Sequence, residues 1–484
     1  MRIEPYLWIL AWIGFVPLFL LLKNKTPKKA FLISYLVGLA YFLFTVYWLV
    51  YVTLAGLIVL VLYLALYFGA FGLIFSYVEK KPRPVLDLFL IPSAWVVLEY
   101  IRSHLFTGFG WELLGYTQYK ILPIIQIADI AGAYGVSFLI MMVNYALYKL
   151  CFGPWAMSYE QIKKKMPVIL LPILLLNITL IYGYFRINSY PLSAKRYPLR
   201  ISIVQGNIPQ EQKWDEEYRN SIIDKYIDLT KLAAKDKPDL IIWPETAVPG
   251  FLNIEEDLQK KIVALEEEIK IPLLAGTPIY KFTGKDSYYN SAILISEDKK
   301  FDKRYDKLHL VPFGEYIPFE DKLPFLRAGR LDEITGFSPG KEFTIFEVKD
   351  AKFGVLICFE DIFPGLVRQF NKRGADFMVV ITNDAWFKKT KAPYQHAAAS
   401  VFRAVENRVN IIRAANTGLS CFIDKNGTIT ESVKNSEGKE IFITGIKTYD
   451  INTGKHKTLY TKYGDFIFYV YISIITAGLA RKRV

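Results

Sequence analysis

Residues 54–78, LAGLIVLVLYLALYFGAFGLIFSYV, run without a single charged side chain. A hydrocarbon core of about 30 Å needs roughly 20 apolar residues of helix to cross it, so this stretch excludes a wholly water-soluble fold. Similarly apolar stretches occur at 6–22, 30–51, 86–102, 130–150 and 167–186, and another at 465–480. That makes seven candidate spans. Between the sixth and the seventh the chain turns into ordinary mixed globular sequence. The expected organisation is a transmembrane helical domain of about six spans over 1–190, a soluble domain over 199–463, and a C-terminal transmembrane helix with a basic tail over 464–484. Arg2 and Glu4 precede the first span closely, but no small-residue cleavage site follows it, so it reads as an anchor and not as a removed signal.

Loop charge orients the spans, because Lys and Arg collect on the cytoplasmic side. Lys23, Lys25, Lys28 and Lys29 separate the first two spans, and Lys80, Lys81 and Arg83 follow the third. Lys163, Lys164 and Lys165 precede the sixth, and Arg481, Lys482 and Arg483 end the chain. With alternating spans all four clusters share one side, so the soluble domain faces outward. In a bacterium this is the periplasmic face of the inner membrane. The net charge of +13 lies largely in these anchors, where it suits anionic lipid headgroups and not nucleic acid. The four histidines and three cysteines show no zinc-type spacing, and there is no P-loop or dinucleotide fingerprint. No metal or cofactor is expected.

Within 199–463 strand-like and helix-like periods alternate. LRISIVQ, DLIIWPE, PLLAGTP, YYNSAILIS, KFGVLICFE and DFMVVITND read as strands; EEYRNSIIDKYIDLTKLAAK, EEDLQKKIVALEEEI and PGLVRQFNKRG read as helices. A further helix runs from about Pro393 to Asn407, and DKNG at 424–427 makes a turn. Such alternation predicts an α/β domain with a mixed sheet covered by helices.

Three reactive residues follow strand-like runs: Glu245 after DLIIWP, Lys307 in YDKLHLVPFGEY, and Cys358 in VLICFED. Strand ends are where α/β sheets place catalytic groups. Taken singly, Cys358 reads equally as a small hydrophobe closing a buried strand, Glu245 as a turn residue and Lys307 as a surface charge. Together they fit acyl transfer: a carboxylate as general base, a thiolate nucleophile, and an ammonium with a backbone N–H to hold the oxyanion. This chemistry needs no histidine.

The local patterns around these residues resemble the nitrilase, or carbon–nitrogen hydrolase, superfamily, and within it the membrane-embedded bacterial apolipoprotein N-acyltransferase family. The resemblance runs through TGFGWELLGYTQ (107–118), VQGNIPQEQKWD (204–215), IIWPET (241–246), YNSAI (289–293), RYDKLHLVPFGEYIP (304–318), ICFEDIFP (357–364) and TNDAWF (382–387). It implies an αββα sandwich for the soluble domain and a Glu245–Lys307–Cys358 triad. It also implies supporting carboxylates at Glu315 and Glu360, and substrate-pocket positions at Trp214, Asn290, Phe359 and Trp386. A tyrosine is common at the position of Phe359, so stacking survives here but a hydroxyl contact does not.

The implied reaction moves an acyl chain from the sn-1 position of a phospholipid, typically phosphatidylethanolamine, to the thiol. From there it passes to the α-amino group of the N-terminal S-diacylglyceryl cysteine of an apolipoprotein. The alternative is a membrane-tethered amidase acting on a small amide. The family commonly carries eight spans, and the additional one would precede EPYLW. Four further expectations concern other residues. The stretch 308–343, with Gly314, Gly329, Gly336 and Gly340, is a candidate lid. The aromatic-rich LPFL (323–326) and FTGFGW either enter the membrane interface or pack on the protein. Cys421 is expected in the core, not bridged to Cys358. Glu99 and Arg102, near the outer end of the fourth span, either meet a headgroup or snorkel. Nothing in the sequence requires more than a monomer.

Overall fold

The computed structural model describes residues 7–151, 159–188, 198–282, 284, 286–296, 303–318, 336–454 and 457–480. The chain divides into two compact units, Met1–Pro191 with Thr458–Val484, and Leu192–Lys457.

In the first unit, five helices among the described residues are long and apolar enough to cross a membrane: Pro27–Thr45, Leu54–Glu79, Pro84–His104, Ala128–Leu150 and Met166–Asn188. Of the seven expected spans, the first and last form shorter apolar helices among the described residues, Trp8–Leu22 and Phe466–Gly478. The first is broken: a 3-10 turn over Leu7–Trp12 precedes α-helix that begins only at Val16, with a proline in its opening turn. The last is an α-helix over Phe466–Ala480, about 22 Å at 1.5 Å per residue. The second candidate ends early as well, its α-helix stopping at Thr45 before a 3-10 turn over Tyr47–Tyr51.

Glu99 and Arg102 do not snorkel. Each is 3% exposed, and together they hold the connection that follows their helix. Arg102 Nη1 donates to the Trp111 carbonyl at 2.7 Å, and Glu99 Oε1 accepts from the Leu114 N–H at 2.7 Å. Trp111 packs against Trp48, with ring centroids 5.0 Å apart. The FTGFGW stretch therefore folds back onto its own unit at Trp111, while Phe106 remains exposed.

The second unit contains two six-stranded sheets. Its strands are β1 (Leu199–Gln205), β2 (Leu240–Ile242), β3 (Leu273–Phe282), β4 (Asp286–Ile295), β5 (Arg304–Asp306), β6 (Phe346–Val348), β7 (Ala351–Ile357), β8 (Phe377–Thr382), β9 (Asn410–Ala415), β10 (Cys421–Ile423), β11 (Ile429–Ser432) and β12 (Gly445–Ile451). One sheet has the order β12-β1-β2-β3-β4-β5 and the other β11-β10-β9-β8-β7-β6. In both, three central strands run parallel (β1, β2, β3 and β7, β8, β9) and the outer ones pair antiparallel. The central strands are apolar nearly throughout, FMVVIT in β8 being buried at every position. That is the signature of a sheet covered on both faces.

Four helices, numbered within this unit, cover the outer faces: α1 (Glu216–Ala234), α2 (Glu256–Ile269), α3 (Pro364–Lys372) and α4 (Ala392–Asn407). α1 and α2 close one sheet through a core that includes Ile223, Tyr226, Ile262 and Trp243. There the Trp243 N–H donates to Thr230 Oγ1 at 2.7 Å. α3 and α4 close the other sheet, Phe370 of α3 filling the space over Gly354 that a side chain at that position would occupy. The layers are therefore αββα. β5 runs parallel to β3, because each is antiparallel to β4. The loops after β2, β5, β7 and β8 consequently emerge at one end of the sandwich, and this places the site.

Candidate functional site

Cys358 directly follows β7, in a left-handed conformation, φ 53°. A non-glycine residue there costs on the order of 1 kcal/mol or more, so the surroundings must hold it. Two side chains do. Glu360 reaches back so that its Oε2 accepts the Ile357 N–H at 2.8 Å, and His396 Nε2 lies 3.2 Å from the Cys358 carbonyl oxygen. The turn lifts Cys358 out of the strand, half-buried as a residue and unbridged. Burial pushes the thiol well above its ordinary pKa and the Glu245 carboxylate adds to the effect, while Lys307 and a hydrogen bond from Thr382 act the other way.

Glu245 is buried beyond β2. Its Oε1 accepts from Asn290 Nδ2 at 2.8 Å and its Oε2 from the Asn383 backbone N–H at 2.8 Å. Gly276 permits this geometry: a Cβ there would stand 2.4 Å from the Pro244 carbonyl oxygen and 2.7 Å from the Glu245 Cα. Lys307, 1% exposed, places its Nζ 2.9 Å from Glu315 Oε1 and 3.7 Å from Glu245 Oε1. Burial alone would lower its pKa, but Glu315 and Glu245 overcome it and hold the ammonium charged, well above the usual lysine value. Glu315 completes the cluster, accepting from Asn290 Nδ2 at 2.8 Å and from the Val311 N–H at 2.7 Å. One amide, Asn290, thus bridges both carboxylates that flank the lysine.

Glu360 is fully buried. It accepts the Tyr305 hydroxyl at 2.8 Å and the N–H groups of Leu308 and His309 at 2.7 and 3.0 Å. It therefore ties the Lys307 loop to the end of β7. Burial raises its pKa to about 7 against these donors and Lys307. Phe359 packs edge-on against Phe363, centroids 5.1 Å apart. Trp214 is half-buried before α1, and Trp386 is 40% exposed on the turn Asp384–Phe387. Neither indole takes part in the hydrogen-bonded cluster of Glu245, Asn290, Lys307 and Glu315. Cys421 is buried in β10 with a free thiol.

Within the candidate lid, residues 319–335, including LPFL and Gly329, lie outside the described residues. Gly340 serves close packing: its N–H donates to the Lys307 carbonyl at 2.7 Å, and a Cβ would lie 2.1 Å from the Asp306 carbonyl oxygen.

Two groups are missing from the sequence reading. Lys213, next to Trp214, is buried and donates its Nζ to the Glu245 carbonyl at 2.9 Å. Burial pulls its pKa down to about 8, with Glu245 and the thiol opposing. A lysine in QKWD looks like surface charge until the loop folds inward. The other group is His396 with Asp361, Asp384 and Arg413, all fully buried. ICFED and TNDAW show the acids, but no local signal pairs them with a histidine on α4. Among the described residues no set of three His, Cys, Asp or Glu side chains is arranged to hold a metal ion.

An αββα sandwich that gathers a thiol, a carboxylate and an ammonium at one end of its parallel strands defines the carbon–nitrogen hydrolase class. The carbon–nitrogen hydrolase family model matches residues 200–454, and that of the apolipoprotein N-acyltransferase N-terminal domain matches residues 2–146. The apolipoprotein N-acyltransferase of Geobacter metallireducens is 38% identical, over 99% of this chain and 92% of its own. Apolipoprotein N-acyltransferase 1 of Treponema denticola is 31% identical, over 94% of this chain and 88% of its own. Among solved structures, Saccharomyces cerevisiae Nit3, a member of branch 10 of the nitrilase superfamily, is similar at 20% identity and TM-score 0.40, over 54% of this chain and 93% of that one. The chain belongs to the apolipoprotein N-acyltransferase family and is a membrane protein.

Proposed function

We propose that this chain transfers a fatty acyl group from the sn-1 position of a phospholipid of the phosphatidylethanolamine type to the N-terminal cysteine of a diacylated apolipoprotein. In this reading Glu245 takes the Cys358 proton and the thiolate attacks the sn-1 ester carbonyl. Lys307 and the Phe359 N–H stabilise the oxyanion. The lysophospholipid oxygen leaves with the proton from Glu245, and the acyl group remains as a thioester. The lipoprotein α-amine then attacks, Glu245 accepts its proton, and the thiolate departs and is reprotonated. Glu315 and Asn290 hold Lys307 and Glu245 in register, Glu360 braces the two loops, and Trp214, Phe359 and Trp386 face the lipid substrates.

Both substrates are lipid-anchored, so a site tethered to the bilayer gains from effective concentration. The charge clusters support an inner-membrane protein with its catalytic domain in the periplasm, working as a monomer. The observation that carries the proposal is the Glu245–Asn290–Glu315–Lys307 cluster beside the Cys358 thiol. To test it, the full-length protein is incubated with vesicles of phosphatidylethanolamine labelled in the sn-1 chain, without lipoprotein, and analysed by mass spectrometry. The expected result is one acyl adduct on Cys358, discharged by a diacylated lipopeptide. Turnover of small amides with no adduct would transfer the reading to the amidase.

A further inference from the structure

The proposed mechanism leaves a fully buried charged network unused, and that network touches the nucleophile. His396 of α4 lies between two aspartates: its Nδ1 is 3.0 Å from Asp384 Oδ1 and its Nε2 is 2.9 Å from Asp361 Oδ1. Arg413 of β9 pairs with Asp361 and faces Asp384 at 3.9 Å, and Ser400 donates to Asp361 at 2.5 Å. Burial and Arg413 oppose protonation of the ring, but Asp361 and Asp384 outweigh them and raise its pKa to about 9, which favours the imidazolium with both ring nitrogens as donors. The Nε2–H has Asp361 Oδ1 at 2.9 Å and the Cys358 carbonyl oxygen at 3.2 Å within reach, and it meets hydrogen-bond geometry at the carbonyl.

That carbonyl shares a rigid, planar unit with the Phe359 N–H, and in a trans peptide the two point to opposite sides. The structure contains no cis peptide bonds among the described residues. Fixing the C=O on the protein side therefore aims the N–H at the other. We infer that His396 is a positioning residue that orients the Cys358–Phe359 peptide, so that the Phe359 N–H meets the oxyanion of the acyl-transfer intermediates. This rests on the proposed thioester mechanism. The backbone at Cys358 is left-handed, a costly conformation that persists only where its surroundings hold it, so an external anchor is needed. The anchor is itself kept rigid: Asp384 accepts from Thr382 Oγ1 at 3.1 Å and is closed in by Gly418, whose missing side chain would sit 2.0 Å from Asp384 Oδ2.

Two neutral amides separate this role from mere structural support. In His396→Gln the terminal amide reaches the place of Nε2 and still donates to the Cys358 carbonyl. In His396→Asn the shorter amide reaches only the place of Nδ1, beside Asp384. Both lose the cation, so the effect on stability is shared. Two rates are measured on the full-length protein: acylation of Cys358 by labelled phosphatidylethanolamine vesicles, and alkylation of Cys358 by iodoacetamide, a displacement that forms no oxyanion. The expected result is that His396→Asn acylates ~10- to 100-fold more slowly than His396→Gln, the scale of a weakened oxyanion donor, while both are alkylated at the same rate. Equal acylation by the two variants overturns the inference. So does a parallel fall in acylation and alkylation, which would put His396 on the thiol or the fold. Failure of the wild-type protein to acylate at all would instead sink the thioester reading.

Discussion

At Cys358 and Cys421 the same side chain meets two environments. One sits on a left-handed turn beside a carboxylate and an ammonium, and the other closes a core strand. Cys358→Ala is expected to abolish acyl-enzyme formation with unchanged stability. Cys421→Ala should keep near-full activity and lose about 1 kcal/mol from the small cavity; acyl-transfer assays and thermal melts check both. His396 yields a pH prediction. Its pKa is raised from the ordinary histidine value to about 9 by Asp361 and Asp384, against burial and Arg413. The folded state therefore holds a proton that the unfolded chain releases near pH 6.5. This stabilisation is fully present below about pH 6.5 and is lost as pH rises through 9. The thermal midpoint of the wild-type protein should fall over that interval relative to that of His396→Gln. Parallel curves for the two would mean the ring is neutral when folded.

Among the elements, close approaches decide where the reactive groups stand. Gly276 in β3 lets the Glu245 turn lie directly on the neighbouring strand, and Gly340 does the same for the start of the Lys307 loop. Gly276→Ala must move backbone, not a flexible side-chain end. We expect about 1–3 kcal/mol of destabilisation and a loss of kcat well beyond what the melting shift explains. Equal activity in this variant would show that the Glu245 loop tolerates displacement. Glu360 acts at the same scale: one buried carboxylate accepts N–H groups from both the Lys307 loop and the end of β7.

At the scale of the whole molecule, two units of opposite solvent preference alternate along one chain. The basic clusters at Lys23–Lys29, Lys80–Arg83, Lys163–Lys165 and Arg481–Arg483 lead us to expect the catalytic unit outside the cytoplasm. Protease added to spheroplasts should cleave within 199–454, and protease added to inside-out vesicles should spare it. The opposite pattern would reverse the orientation.

Much was legible in the sequence because its signals are local. Apolar runs mark membrane helices by length, period-two and period-3.6 patterns separate strands from helices, and the family motifs carry Glu245, Lys307 and Cys358. Helix ends were less legible: the break before Val16 and the stop at Thr45 depend on packing that hydropathy does not encode. Lys213 and His396 could not be read at all. Lys213 and Glu245 lie on different loops, and His396 is on α4, away from the β7 turn it anchors. Burial and pairing of such groups are properties of three-dimensional neighbours. The sequence alone determined the membrane character and the α/β class, and its motifs single out Glu245, Lys307 and Cys358 as the candidates, since each signal lies in adjacent positions along the chain. Only the tertiary structure decided which charges are buried, which carbonyl the histidine holds and how the thiol is turned, because those depend on distances between residues that the chain order separates.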